Sequence, residues 1–427
     1  MNRSNRTEVV ITGVGIASPI GIGFEAFARS LADRRSGVKR FEGYGQVSLP
    51  APFGGTIDDF EPKRYVRPRK SLKVMSREIQ LAFCAADLAH QHAGLATCET
   101  SPERLGVVFG ADMMYCDLME LTDAYRSCMP EGTFDFSRWG THALGDLYPL
   151  WLLKYLPNMA ACHIGIAHDA RGPTNAITLG DVSGLLALIE GTHVIERGHA
   201  DVMIVGGTST RVHPTLLASR GSCLTSCQAD QPARACRPFD QARDGMVHGE
   251  GAGALVIESL KHARRRGATI LAVVKGSANR FEPRSIDSVP SGKAIRHSIE
   301  VALSAARLQP DQVGHVNANG LSTPLHDRLE AAAIRDCLGN VPVTAPKSFF
   351  GNLGSGGGAV EIAASLLAFE TGKIPVTLNY ETPDPECPVR VVHTAPLAAE
   401  HPTALVLNQS ISGQAVSVVL ARPDWQA

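Results

Sequence analysis

The stretch TLGDVSGLL, Thr178 to Leu186, sets a carboxylate, Asp181, where a strand-like run gives way to helical spacing at Leu185, Leu186, Leu188, Ile189, Val194 and Ile195. A side chain on such a turn faces the amino end of a helix, whose free N–H groups and dipole stabilise negative charge. Two kinds of chemistry fit. The carboxylate can cap the helix by accepting its first-turn amides. Alternatively, a dry apolar surrounding would raise its pKa and make it a general base toward water or a hydroxyl proton.

Other chemically able groups are scattered. His163, His168, His248 and His326 offer imidazoles, each read here as structural or solvent-facing. Cys223, Cys227 and Cys236 form the single thiol cluster, but they lack the paired C-x-x-C spacing and the histidine pair of a zinc site, so no metal is expected. TGVGIASPIG lacks the glycine spacing and acidic partner of a dinucleotide loop, and no phosphate loop of the form G-x-x-x-x-G-K-[ST] occurs, so nucleotide use is unsupported.

These residues must be held by alternating elements. Apolar strand-like runs begin at Val9, Arg104, Asp201, Gly253, Ile270, Gly314, Thr403 and Val416, with amphipathic helices such as Met75 to His92 and Asp327 to Cys337 between them. Such alternation argues for a mixed α/β protein with layered sheets. The segment Glu282 to Gly292, rich in Ser and Pro, reads as a surface loop. At 427 residues the chain exceeds a usual single domain, which calls for two domains or one large duplicated unit. Hydrophobic residues at 44% against charged residues at 19% fit an ordered globular protein, and a net charge of -1 gives no general pull toward nucleic acid or membrane. The ten cysteines are dispersed, several within apolar helical patterns, and read as reduced thiols. With no secretory signal pattern in MNRSNRTEVV and no apolar stretch long enough to span a bilayer, a cytoplasmic location is expected.

The surroundings of Asp181 are more specific than the turn. RGPTNAITLGDVSG, followed by IERGHADVMIVGGTSTRV, resembles the nucleophile segment of the elongating β-ketoacyl-acyl carrier protein synthases of the thiolase-like superfamily. Matches continue in order through RPFDQARDGMVHGEGAGALVIE, VNANGLSTPLHD, PKSFFGNLGSGGGAVE and NQSISGQA, nearly spanning the chain. The resemblance implies a layered αβαβα fold of two similar halves. Residues 1–257 would carry the nucleophile elbow and 258–427 the positions of the family's two histidines.

In that family an elbow cysteine accepts the acyl chain as a thioester, while two histidines promote malonyl decarboxylation and hold the developing enolate. Here those positions read Asp181, Asn319 and Asn352. Lys347 and Glu361 stand at the family's active-site lysine and following glutamate, and Asp327 closes the first histidine segment. The gating loop, usually Phe-Gly-Phe-Gly-Gly, becomes Ser410, Ile411, Ser412, Gly413, Gln414, without either phenylalanine. A carboxylate is a weak nucleophile toward thioesters, and an amide side chain donates a hydrogen bond without exchanging a proton near neutral pH. Condensation by this chain alone is not expected.

Two functions follow from the resemblance. One is a non-condensing partner, similar to the chain length factors that pair with an active ketosynthase, with Asp181 capping its helix; those factors commonly carry glutamine at the elbow, so Asp181 departs from that pattern too. The other is a repurposed enzyme that hydrates, dehydrates or hydrolyses acyl-carrier-protein thioesters, with Asp181 as base and Asn319, Asn352 and Lys347 orienting the carbonyl. Phe109 to Ser127 corresponds to the family's tunnel and interface region, where Met113, Met114, Leu118, Met119 and Leu121 are candidates for acyl or subunit contact. No cofactor is implied. The substrate would arrive as acyl-phosphopantetheine on acyl carrier protein, and the subunit partner would be a ketosynthase-like chain or a second copy. Asp181, Asn319, Lys347 and Asn352 should then share one pocket.

Overall fold

The computed structural model describes residues 7–41, 51–98, 100–220, 224–283 and 290–425. Cys223 and residues 284–289 of the Ser- and Pro-rich loop lie outside the described residues. Ten strands carry the architecture: β1 (Val9–Ser18), β2 (Leu105–Ala111), β3 (Thr174–Ile177), β4 (Val202–Thr210), β5 (Glu250–Ser259), β6 (Ala272–Phe281), β7 (His315–Asn317), β8 (Pro342–Thr344), β9 (Thr403–Gln409) and β10 (Gln414–Ala421). The apolar runs of the sequence become strands. The short β3 and β8 were not legible, being four and three residues long and set among turn residues.

The strands repeat one pattern. In the first half they lie in the order β1-β5-β4-β2-β3, and in the second β6-β10-β9-β7-β8. Each half has two antiparallel pairings followed by two parallel ones. The halves join through the antiparallel pair β1 and β6, in register from Val9 opposite Val274 to Ile11 opposite Ala272. The fold is the thiolase-like α/β arrangement of two similar halves.

Seven helices build the layers: α1 (Arg77–His92), α2 (Leu118–Ser127), α3 (Met159–Ala167), α4 (Ser183–Glu196), α5 (Lys293–Ala306), α6 (Pro324–Leu338) and α7 (Gly357–Thr371). Helices α4 and α7 contact strands of both halves, whereas α1 and α3 cover the outer face of the first half and α5 and α6 that of the second. Strand alternation sorts side chains accordingly. On β4, Met203 and Val205 join the central core while Val202 and Ile204 join the outer one; on β9, Ala404 and Val406 face the centre while Leu405 and Leu407 face outward. Helix α4 is buried from Ser183 to Leu188 and again at Val194 and Ile195, as a helix between two sheets must be.

The amino ends of α4 and α7 meet. A Cβ on Gly184 would stand 2.6 Å, and one on Gly207 2.0 Å, from the carbonyl oxygen of Ser355, so only glycine lets these backbones touch. Both central helices therefore point their positive ends into one small region.

Near the carboxyl end of β5, Glu258 is wholly buried and binds Thr12, His262 and Arg266. Burial would raise its pKa, but the hydrogen bonds of Arg266, His262 and Thr12 hold it at about 2. A depressed carboxylate contributes stability above its unfolded value, near 4.5, and loses it as pH falls toward 2. Glu258→Gln should cost roughly 2–3 kcal/mol at pH 7, with the gap from wild type closing below pH 4 in urea titrations. An equal loss at pH 3 and pH 7 would contradict this assignment.

Candidate functional site

The chain leaves β3 through Gly180, whose φ of +63° turns the backbone sharply, and enters α4 by way of a short 3-10 turn over Gly180–Val182. Ser183 closes the turn by accepting from Leu179 N–H and donating to the Gly180 carbonyl, both at 2.8 Å. Ser355, from the turn ahead of α7, donates to the same carbonyl at 3.0 Å. The elbow is thus fixed from both halves.

Asp181 does not cap α4. No side chain caps the 3-10 turn or the helix, and the carboxylate instead forks onto Arg211, Oδ1 to Nη1 at 2.9 Å and Oδ2 to Nη2 at 3.2 Å. Arg211, just past β4, also binds Asp112 at the end of β2, with Nε at 3.2 Å and Nη2 at 3.0 Å from Asp112 Oδ2. Ser209 Oγ adds a further bond to Asp112, at 2.9 Å. Arg211 is the bulkiest fully buried side chain among the described residues. Gly354, at φ +56°, presses its backbone against this triad, since a Cβ there would meet Arg211 Nε and Asp112 Oδ2 at 2.4 Å.

The general-base reading required a raised carboxyl pKa. Burial does push that of Asp181 upward, but the Arg211 charge, a hydrogen bond from Asn352 and the Lys347 charge outweigh it and hold the group below the usual carboxylate range. Asp181 is thus ion-paired to Arg211 and does not cap the helix.

Asn352 reaches Asp181 from the turn before α7, while its Oδ1 accepts from Gly354 N–H at 3.0 Å. Lys347 Nζ pairs with Glu361 Oε1 on α7, and Glu361 Oε2 accepts from Asn408 Nδ2 at 2.6 Å. Asn408 Nδ2 also approaches Asn319 Oδ1 at 3.5 Å, while Asn319 Nδ2 is buried without a partner among the described residues. Two chains of contacts run through the centre, Asp112, Arg211, Asp181, Asn352 in one and Lys347, Glu361, Asn408, Asn319 in the other, and the Lys347 charge acts on Asp181.

Supporting carboxyls anchor loops. Asp327 accepts from Phe239 N–H at 2.9 Å and Ser322 N–H at 3.1 Å, and burial raises its pKa to about 6. Glu330, which sequence reasoning missed, accepts from the amides of Asn319 and Gly320 at 2.7 and 2.9 Å and is pushed up to about 8 by burial. At the gate position Ser410 and Ser412 share a hydroxyl contact of 2.6 Å inside a tight turn closed by Gly413 N–H to the Ser410 carbonyl. Met114 is buried in a cluster with Met75, Ile79 and Phe83, apart from Met113, Leu118 and Met119, which are exposed. His248 and His326 contact Thr225 and Thr323, and His163 is buried in α3. Among the described residues no cluster of three or more metal-binding side chains occurs.

Arg211 and Asp112 were the main residues that sequence reading passed over. An arginine closing the apolar run of β4 was the available signal, but its partners lie 30 and 99 residues away.

Comparison with known proteins agrees with the geometry. Residues 6–263 match the Beta-ketoacyl synthase, N-terminal domain and residues 271–381 the Beta-ketoacyl synthase, C-terminal domain. The chain is 34% identical over 99% of its length to the tetracenomycin polyketide synthase ketoacyl synthase alpha subunit of Streptomyces glaucescens, 99% of which is covered. It is 32% identical to 3-oxoacyl-[acyl-carrier-protein] synthase 2 of a Synechocystis strain, with 91% of each chain covered. The solved ishigamide ketosynthase/chain length factor superimposes with a TM-score of 0.83 at 26% identity, covering 98% of this chain and 99% of that one.

Arg211→Met should destabilise the protein by roughly 3–5 kcal/mol, because the buried Asp181 and the half-buried Asp112 lose their counter-charge. Combining it with Asp112→Leu and Asp181→Leu should restore most of that loss, read as urea midpoints. A single-variant cost under about 1 kcal/mol would show that the triad is not the constraint described.

Proposed function

The chain belongs to the β-ketoacyl synthase family, and on that premise we propose that it is a non-condensing subunit, similar to a chain length factor, that pairs with an active ketosynthase. The observation that carries this is the fork of Asp181 on buried Arg211. A carboxylate held ionised by a guanidinium is a poor nucleophile and a poor base, and neither Asn319 nor Asn352 can shuttle a proton. The hydratase or hydrolase alternative has no group of suitable basicity at the elbow.

A partner surface supports the same reading. Among the described residues, all of the exposed large hydrophobics except Leu224 and Phe281 fall between residues 113 and 179, including Met119, Phe136 and Ile166. Ile166 lies on α3, which packs against β3, a sheet edge whose described pairing is with β2 alone. An open edge beside a large apolar face calls for a covering subunit. Elsewhere, Lys63, Arg64, Arg67, Arg69, Lys70 and Lys73 are exposed and lack ion pairs among the described residues, which suits an acidic carrier domain bringing acyl-phosphopantetheine.

Co-expression with ketosynthases encoded beside this chain should yield a stable heterodimer by size-exclusion chromatography. The purified chain alone should leave acyl, β-hydroxyacyl and enoyl carrier-protein thioesters unchanged in intact mass. Recovery of homodimer alone, or turnover of any of those thioesters, would overturn the proposal. Asp181→Cys should acquire a thiol that alkylates at a nearly constant rate from pH 6 to 9, since Arg211 favours the thiolate, yet should form no carbon–carbon bond with malonyl and acyl thioesters.

A further inference from the structure

We propose that the cleft of about 790 Å³ between the amino end of β1, the loop ahead of β4 and the short helix Leu260–Arg265 binds a polyphosphate group. Asp201 on its wall directly precedes β4 and Arg211 directly follows that strand, so the nine residues of β4 hold cleft and elbow roughly 30 Å apart. The cleft is therefore separate from the elbow, and its ligand does not depend on the partner reading above.

Charge decides the class of ligand. Lys261, Arg264 and Arg265 stand at positions i, i+3 and i+4 of the short helix, a spacing that puts all three on one face, and each is exposed. They line the cleft together and form no hydrogen bond or ion pair among the described residues. The two acids on the same walls are already spent. Both oxygens of Asp201 are taken by Arg104, at 3.0 and 3.1 Å, and Glu8 pairs with Lys275 at 3.6 Å. Glu258, just ahead of the helix, is committed to Thr12, His262 and Arg266. Three positive charges are left without a counter-charge, and like charges at this spacing repel one another.

A ligand that completes the cleft must bring several negative charges within one helical turn. Phosphoryl groups joined in a chain do so, and the planar fork of arginine matches their oxygens. A single carboxylate or monophosphate would answer one cation and leave two, and a neutral or cationic ligand would answer none. The sequence holds no glycine-rich phosphate loop, so recognition falls to side-chain charge. The cleft also has the size of a site for a small organic molecule, roughly 300–1,000 Å³. Ile195, Ala200 and Leu260 line its remainder, which leaves room for an organic body such as a nucleoside beside the phosphates.

The test is isothermal titration calorimetry of the full chain, with any subunit that co-purifies, in about 50 mM NaCl without divalent metal. ATP should bind at least ten-fold more tightly than AMP, and raising NaCl to about 300 mM should weaken ATP at least five-fold. Lys261→Gln and, separately, Arg264→Gln should each weaken ATP at least three-fold while thermal melting stays at the wild-type value. Lys293→Gln, which removes an exposed cation on α5, should leave the affinity unchanged. Inorganic triphosphate is titrated beside ATP: tighter binding of ATP identifies a nucleotide as the source of the group, and equal or tighter binding of triphosphate identifies free polyphosphate, each supporting the assignment. No binding of either, AMP binding as tightly as ATP, an affinity indifferent to salt, no loss in both Lys261→Gln and Arg264→Gln, or an equal loss in Lys293→Gln would overturn it.

Discussion

One buried guanidinium organises the first half of this molecule's centre. Arg211 leaves the end of β4, Asp112 leaves the end of the neighbouring parallel strand β2, and Asp181 begins the helix that follows β3. The carboxyl ends of three adjacent parallel strands thus converge on one cation. Arginine suits this place better than lysine because its planar fork meets two carboxylates at once and never deprotonates. The Arg211 charge, the Asn352 hydrogen bond and the field of Lys347 outweigh burial, and so the elbow carboxylate stays ionised although it is buried.

The second half repeats the geometry with different chemistry. Asn319 follows β7 as Asp112 follows the equivalent β2, and Asn352 precedes α7 as Asp181 precedes α4. There the charges cancel locally, Lys347 against Glu361, and amides fill the remaining positions. The duplicated fold therefore delivers an anion held by a cation from one side and a set of non-titrating donors from the other. Both sides are held where the start of α4 and strand β4 meet the turn ahead of α7, through Gly184, Gly207 and Ser355.

The fold was legible because buried strands and central helices write themselves as apolar runs, and β1, β4, β5 and β9 coincide with such runs. Short parallel strands such as β3 and β8 leave too few residues to show a period. The positions of Asp181, Asn319, Lys347 and Asn352 were legible from motif resemblance, but the partners of Asp181 were not. A helix cap and an ion pair look alike in sequence, since both need only an acid at the first turn, and the choice was made by an arginine 30 residues later. The same limit hid Glu330, whose role depends on two amides ten or eleven residues before it. Which of Met113 and Met114 faces outward likewise depended on the exit angle of the chain after β2.

Everything proposed for the site depends on the ionisation of one carboxyl group. The direct measurement is a ¹³C NMR titration of protein labelled at the aspartate side-chain carboxyl carbon, with the Asp181 resonance assigned by its loss in Asp181→Asn. The resonance should remain at its ionised position down to about pH 4, and in Arg211→Met it should titrate at higher pH. A midpoint above pH 5 in the wild-type protein would mean that the elbow carboxyl is available as a base, and would contradict the non-condensing, non-hydrolytic reading at its root.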